Sequence, residues 1–253
     1  MDGVVQMTEK KIKLFYVATT GILSYMIADI LHEVIGHGVT CVSIGNKVEL
    51  LTSVYFKSSP GNAAVDMGGP FANLIFGCLT FYVLGKTSFA RLLLFQVAAY
   101  NLFWFSGTIL HSAISQGDWT FAINEIIAEP FGKFPLIIFG ILSYILVIRY
   151  LNTYLDATLK KNQGEPLAKQ DIFISFLFAS AAALLAGLLF KPDRLHAAME
   201  GSLEMAASLP ILFLKFRENS FAEIHNFKRL RFFGLTVCIL YLVFCLALGQ
   251  GIS

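Results

Sequence analysis

Two histidines and a glutamate stand together at the end of an apolar run, in the sequence H-E-V-I-G-H at residues 32–37. An ionisable side chain at the centre of a membrane helix costs roughly 2.5 to 3.5 kcal/mol, so such groups are uncommon there without a function. Imidazole nitrogens bind zinc, and a neighbouring carboxylate can take a proton from a water that the metal activates. These residue types therefore predict a hydrolytic zinc site with His32 and His37 as ligands.

The spacing of the two histidines differs by one residue from the usual helical zinc motif H-E-x-x-H, in which they lie four apart on one face. His32 and His37 are five apart. In a regular α-helix this separation turns them about 140° from each other, instead of about 40°. Binding of one metal by both histidines requires a widened turn, for which Gly36 is a suitable place. The competing interpretation is that unrelated polar residues stand near a helix end.

Two further features strengthen the zinc interpretation through resemblance to known proteins. The pattern H-E-x-x-G-H resembles the zinc motif of dipeptidyl-peptidase III, whose two histidines bind one metal despite the extra residue. The order of motifs resembles the site-2 protease family of intramembrane zinc metalloproteases, because G-P-F-A-N at residues 69–73 matches the family's G-P-x-x-N motif. Asp118 lies 81 residues after His37, a separation suited to the family's aspartate ligand, although it stands in G-D-W and not in L-D-G. The resemblance covers residues 14–120.

The resemblance implies a role for each of these residues. His32, His37 and Asp118 would bind zinc, and Glu33 would act as general base and later as proton donor. Asn73 would hydrogen-bond the extended substrate or its developing oxyanion.

From the residues alone, other roles stay open. An asparagine near a helix start is also a routine cap or interhelical hydrogen-bonding group, and Asp118 after Gly117 can be a helix N-cap. Other candidates for the third ligand are His111, Asp66, Glu125, Glu129 and Glu200. The remaining histidines, His196 and His225, stand in charged segments, and we expect both to be solvated.

The composition places these residues in a membrane protein. Hydrophobic residues make up 56% of the 253 residues and charged residues only 14%, and the mean hydropathy is +0.68, far above ordinary soluble usage. At about 20 apolar residues per span, the chain can supply six or seven membrane helices and no sizeable soluble domain. The net charge of +2 is spread over short loops, which gives no electrostatic reason to expect a nucleic-acid partner.

Apolar stretches predict an all-α polytopic fold with a small hairpin after the first helix. The predicted spans are 14–37, 70–85, 88–115, 134–152, 171–190 and 231–249, with a less certain seventh at 202–215. Between the first two spans, residues 39–57 carry a hairpin-like pattern in which Gly45-Asn46 is the expected turn. An open sheet edge cannot face lipid, so we expect this hairpin at the membrane interface or covered by protein.

These features together predict an integral, multi-pass zinc metalloprotease that hydrolyses a peptide bond in or near a transmembrane segment of another protein. Residues 1–120 would form the metalloprotease core, and residues 121–253 would add further membrane helices. The expected partners are a membrane-protein or peptide substrate and the lipid bilayer. Two alternatives stay open: a non-proteolytic protein that binds or transports a metal ion, and an inactive homologue that binds a partner.

Overall fold

A computed structural model describes residues 2–86, 90–127, 131–161, 167–216 and 227–253. Its helices are α1 (Asp2–Asp29), a π-helical segment (Ile30–Val39), α2 (Thr40–Ser43), α3 (Ala63–Leu84), α4 (Arg91–Ile114), α5 (Thr120–Ile126), α6 (Lys133–Lys161), α7 (Lys169–Leu188), α8 (Arg194–Ala207) and α9 (Phe227–Phe244). Short 3₁₀ helices lie at Lys191–Asp193 and Leu209–Phe213, and a second π-helical segment lies at Cys245–Gly249. The strands are β1 (Lys47–Leu51) and β2 (Phe56–Ser59).

Six helices of the described chain are long and apolar enough to cross a membrane, which confirms the predicted polytopic class. These spans are Glu9–Ser43, Ala63–Leu84, Arg91–Ile114, Lys133–Ala157, Lys169–Leu188 and Lys228–Gly249. The uncertain seventh span at 202–215 does not form, because this stretch is divided between the end of α8 and a 3₁₀ helix that begins at Leu209-Pro210. Proline lacks an N–H and interrupts a continuous helix there.

Helix α3 begins seven residues before the apolar stretch that predicted it. Asn62 adopts an extended conformation and its side chain accepts a hydrogen bond from the backbone N–H of Ala64 at 2.8 Å, which makes it the N-cap. Such a cap satisfies one of the free N–H groups of the first turn. Hydropathy alone does not detect this start, since Asp66 lies in the first turn.

Helix α4 lies at the centre of the bundle. It contacts α1 and α3 from the first half of the chain and α6 and α8 from the second half. In the most apolar stretch of α4, 67% is buried inside the protein, whereas in that of the α6 span only 22% is buried. The helices beyond residue 120 therefore pack directly against the predicted core, and α8 contacts α4.

The hairpin overlaps the predicted stretch and extends two residues beyond it to Ser59, but its turn was placed wrongly. Residues 40–43 are helical, and Gly45 ends this helix with φ of +81°, a conformation that glycine adopts without strain. The strands come later and pair antiparallel, with Leu51 opposite Phe56. Thr52 closes the true turn, since its hydroxyl accepts hydrogen bonds from the N–H groups of Val54 and Tyr55.

The close packing of α1 against α7 predicts the cost of a larger residue at Gly21. A Cβ at this position would overlap the backbone carbonyl of Ser175, so we expect Gly21→Val to destabilise the fold by about 1 to 3 kcal/mol. Gly61→Val is the control, because its Cβ would meet no atom within 4 Å. Thermal unfolding in detergent, followed by circular dichroism, measures both, and equal midpoints would contradict this packing.

Candidate metal centre

A π-helical turn brings the two histidines to one face, which confirms the widened turn that the spacing required. The segment Ile30–Val39 contains both residues, and hydrogen bonds from i to i+5 place residues five apart one above the other. The Nε2 atoms of His32 and His37 lie 3.2 Å apart, and the ring planes cross at 83°. Both side chains are buried, with 6% and 4% of the residue exposed.

Glycines let α3 approach this segment at backbone distance. A Cβ on Gly36 would overlap the backbone of Gly69, and one on Gly68 would overlap the carbonyl of Gly36. A Cβ on Gly69 would overlap Nε2 of His37 and lie 2.8 Å from Nε2 of His32. The first residue of the G-P-x-x-N motif is therefore glycine because the imidazoles occupy the space that a side chain would need.

One face of α3 orients both imidazoles. Val65, Gly69 and Asn73 follow one another at intervals of four residues and so share a helix face. The backbone carbonyl of Val65 accepts a hydrogen bond of 2.7 Å from Nδ1 of His37. Because a carbonyl only accepts, Nδ1 carries the proton and Nε2 keeps its lone pair.

Asn73 orients the imidazole ring of His32. Its amide hydrogen-bonds to Nδ1 of His32 at 2.9 Å, which turns Nε2 of that ring toward His37. Asn73 is completely buried and is not among the residues that line the cavity at the histidines. The structure thus places Asn73 on a histidine as an interhelical hydrogen-bonding group, and its predicted role toward a substrate stays a prediction.

Asp118 reaches the histidines from the loop after α4. Its carboxylate oxygens lie 3.3 Å from Nε2 of His32 and 3.7 Å from Nε2 of His37. The next residue anchors the loop, because the N–H of Trp119 donates to the hydroxyl of Ser112 at 3.0 Å. Asp118 does not cap α5, whose N-cap residue is Trp119.

The histidines also decide the charge of this carboxylate. Burial alone would raise the pKa of Asp118, but the hydrogen bond from His32 lowers it below its ordinary value. The carboxylate is therefore ionised at neutral pH, the state that can bind a cation.

Glu33 lies beside the cluster of His32, His37 and Asp118, at a longer distance from the imidazoles than Asp118. Its Oε1 atom lies 4.0 Å from Nε2 of His32, and its Oε2 atom is buried with no hydrogen-bond partner among the described residues. The side chain lines a cavity of about 490 Å³ that also exposes His32, His37 and Asp118. Glu33 can therefore meet a molecule bound at the histidines.

The geometry of the cluster fits a metal ion. His32, Glu33 and His37 form a group of ligand atoms that could hold one. Two atoms bound tetrahedrally at zinc distances of about 2.0 to 2.1 Å lie about 3.3 Å apart, and the separations between the two Nε2 atoms and Asp118 are 3.2, 3.3 and 3.7 Å. Nε2 of His37 carries a lone pair and faces Nε2 of His32, whose proton bonds to Asp118, so a metal ion would take the place of that proton.

The other candidate ligands that the structure describes make no bond to the two histidines. Asp66, His111 and Glu200 line the same cavity, but in the described structure no hydrogen bond or ion pair joins them to His32 or His37. Nε2 of His111 instead bonds to the hydroxyl of Ser115 at 2.6 Å. Glu129 and His225 lie outside the described residues, as does the side chain of Glu125.

Helix α8 adds cavity residues that the motifs did not indicate. His196, Glu200 and Glu204 line the cavity and recur every four residues, which is the sequence signal for one polar helix face. His196 is solvent-exposed, as predicted, yet its Nδ1 bonds to the hydroxyl of Tyr55 at 2.6 Å. Burial, with the charges of Glu200 and Asp193, raises the pKa of Tyr55 to about 12, so this phenol stays protonated.

Comparisons of the chain with protein-family models, curated proteins and solved structures gave no match. The likeness to the site-2 protease family therefore rests on the motifs alone and stays a prediction. What the chain can do has to be inferred from the geometry of the cluster and its cavity.

The overlap at Gly69 predicts that a single methyl group there impairs metal binding. In Gly69→Ala the new Cβ displaces Nε2 of His37, and we expect zinc affinity to fall by about 10- to 100-fold, the range for lost orientation of a ligand. Gly38→Ala is the control in the same π-helical segment, since its Cβ would make only ordinary contacts from 3.5 Å. A zinc titration against a chelating dye measures both affinities, and unchanged affinity in Gly69→Ala would show that the rings do not bind the ion.

Proposed function

We propose that this chain is an intramembrane zinc metalloprotease that hydrolyses a peptide bond in or near a transmembrane segment of a protein substrate. The observation that carries the proposal is the convergence of His32, His37 and Asp118 at separations of 3.2 to 3.7 Å, with Glu33 beside them. The cluster opens into a cavity of about 490 Å³, inside a chain with six candidate membrane spans.

The contacts suggest a separate role for each residue of the site. His32, His37 and Asp118 would hold the ion, and α3 fixes the two rings through Val65 and Asn73. Bound zinc supplies a Lewis acid and lowers the pKa of a water to about 7. Glu33 would accept a proton from the attacking water and pass it to the amine that leaves when the C–N bond breaks.

The hairpin offers a way to present an extended substrate. In a transmembrane helix the backbone carbonyl groups accept hydrogen bonds within the helix. The scissile segment must therefore unwind before its peptide bond can be attacked. One edge of β1 pairs with β2, and Leu51 on its other edge pairs with Ile252 near the C-terminus. Among the described residues β2 pairs only with β1, and its Phe56 stacks on His37 with ring centroids 5.4 Å apart. The outer edge of β2 is thus a suitable place for strand addition beside the cluster.

Metal analysis tests the ligand set. We expect about one zinc per wild-type chain, and loss of that zinc in His37→Ala and Asp118→Asn, because each change removes a ligand atom. His111→Ala is the matched control, since His111 lines the same cavity but bonds to Ser115. Mass-spectrometric metal analysis of purified protein gives the stoichiometry. Zinc that survives Asp118→Asn but is lost in His111→Ala would move the third ligand to the histidine.

Substitution of Glu33 separates a protease from a metal-binding protein or transporter. In Glu33→Gln we expect zinc to stay bound and hydrolysis to fall by about 10² to 10⁴-fold, the usual contribution of a general base. Wild-type and variant proteins in nanodiscs would be incubated with a mixture of synthetic transmembrane peptides, and mass spectrometry would identify zinc-dependent cleavage. Equal cleavage by both proteins would remove Glu33 from the mechanism, and zinc binding without cleavage by the wild type would favour metal transport.

A further inference from the structure

Trp104 is a buried hydrogen-bond donor at the edge of the proposed active site, and no described residue accepts its hydrogen bond. It lies on α4, only 3% of the residue is exposed, and it lines the same cavity as His32 and Glu33. Its indole Nε1 has no hydrogen-bond partner among the described residues. Buried donors are paired in most native structures, and an unpaired one in a cavity wall calls for an explanation.

The indole ring of Trp104 lies beside one of the proposed metal ligands. The indole meets the imidazole of His32 edge to face, with centroids 6.2 Å apart and planes at 82°. The indole ring is therefore a direct neighbour of one ring of the cluster, and both line the cavity. An indole N–H can only donate, so the group that satisfies it must be an acceptor. A peptide bond undergoing hydrolysis at this site carries such an acceptor in its carbonyl oxygen.

Three hydroxyl groups of the cavity wall are already engaged in hydrogen bonds. The hydroxyl of Tyr55 bonds to His196, that of Tyr144 donates to the carbonyl of Ala207, and that of Thr108 donates to the carbonyl of Phe105. Asn73, which the family resemblance assigned to the substrate, is bonded to His32. A carbonyl oxygen that gains negative charge during hydrolysis requires a donor, and Trp104 is the buried side chain that can supply one.

We propose that Trp104 donates an indole hydrogen bond to the carbonyl oxygen of the substrate peptide beside His32, a role that rests on the proposed protease function. Nε1 has almost no accessible surface in this structure, so the acceptor reaches it through a small shift of the surrounding side chains. Catalytic hydrogen bonds commonly tighten only in the complex with substrate. The exclusion of water strengthens the bond once it forms.

The second tryptophan is an internal control for this donor. The chain contains only two tryptophans, and Nε1 of Trp119 already donates to the hydroxyl of Thr108 at 3.2 Å. The indole N–H groups of a ¹⁵N-tryptophan-labelled protein therefore give two NMR signals, which Trp104→Phe and Trp119→Phe assign. The probe is a blocked dileucine hydroxamate, whose hydroxamate binds zinc and presents a carbonyl oxygen at the metal.

The experiment uses the full zinc-loaded chain in detergent, with probe binding measured by calorimetry. We expect the Trp104 signal to move downfield and to exchange with deuterium more slowly on saturation, while the Trp119 signal keeps its position. In Trp104→Phe, which retains a ring in the same place, we expect zinc content to be unchanged and the probe to bind about tenfold more weakly, as for one lost hydrogen bond.

Three outcomes would contradict the inference in distinguishable ways. A bound probe with an unmoved Trp104 signal overturns the role of Trp104 and leaves the protease proposal intact. A Trp104 signal that responds to Asp29→Asn, and not to the probe, assigns the indole to a structural bond with that buried carboxylate, which lies near Tyr25 and hence near the ring. A zinc-loaded protein that does not bind the probe contradicts the proposed function, and the inference with it.

Discussion

The contact between the π-helical segment and α3 is the constraint on which the site depends. The two backbones meet at Gly36, Gly68 and Gly69, where any side chain would overlap the opposite helix or an imidazole. Through this contact, one α3 face lies against both histidine rings. The extra residue in H-E-x-x-G-H and the glycines of the next helix therefore act together to position the two imidazoles. The π-helical turn aligns the rings, and the close approach gives each ring a hydrogen-bonding partner.

This arrangement also explains how ionisable groups are tolerated inside a membrane protein. His32, Glu33 and His37 are 4% to 6% exposed, and isolated charges in such surroundings are costly. Here the second nitrogen of each ring is bonded to α3, and the first nitrogens face one another and an aspartate. A cation at their centre would complete the set and would couple metal binding to the stability of this buried cluster.

The cavity is built by both halves of the chain. The two histidines, Glu33, the hairpin residues and Asp118 come from before residue 120, whereas His196, Glu200 and Glu204 come from α8. Helix α4 joins the two halves, since it contacts α8 and carries Trp104 against the ring of His32. A substrate at the cluster would therefore touch residues for which the motif resemblance assigns no role.

Hydropathy and the types of clustered side chains are local properties, so they predicted the membrane class, the six spans and the group of side chains that could bind a metal ion. The sequence also predicted a widened turn at Gly36, since no regular helix can align residues five apart. Other features depended on contacts between distant segments. Among these are the capping of α3 by Asn62, the hairpin turn at Thr52, the bond between Asn73 and His32, and the position of Trp104. Tertiary packing sets such contacts, because an amide or an indole can hydrogen-bond to several different partners. The helix that packs against it selects one of them.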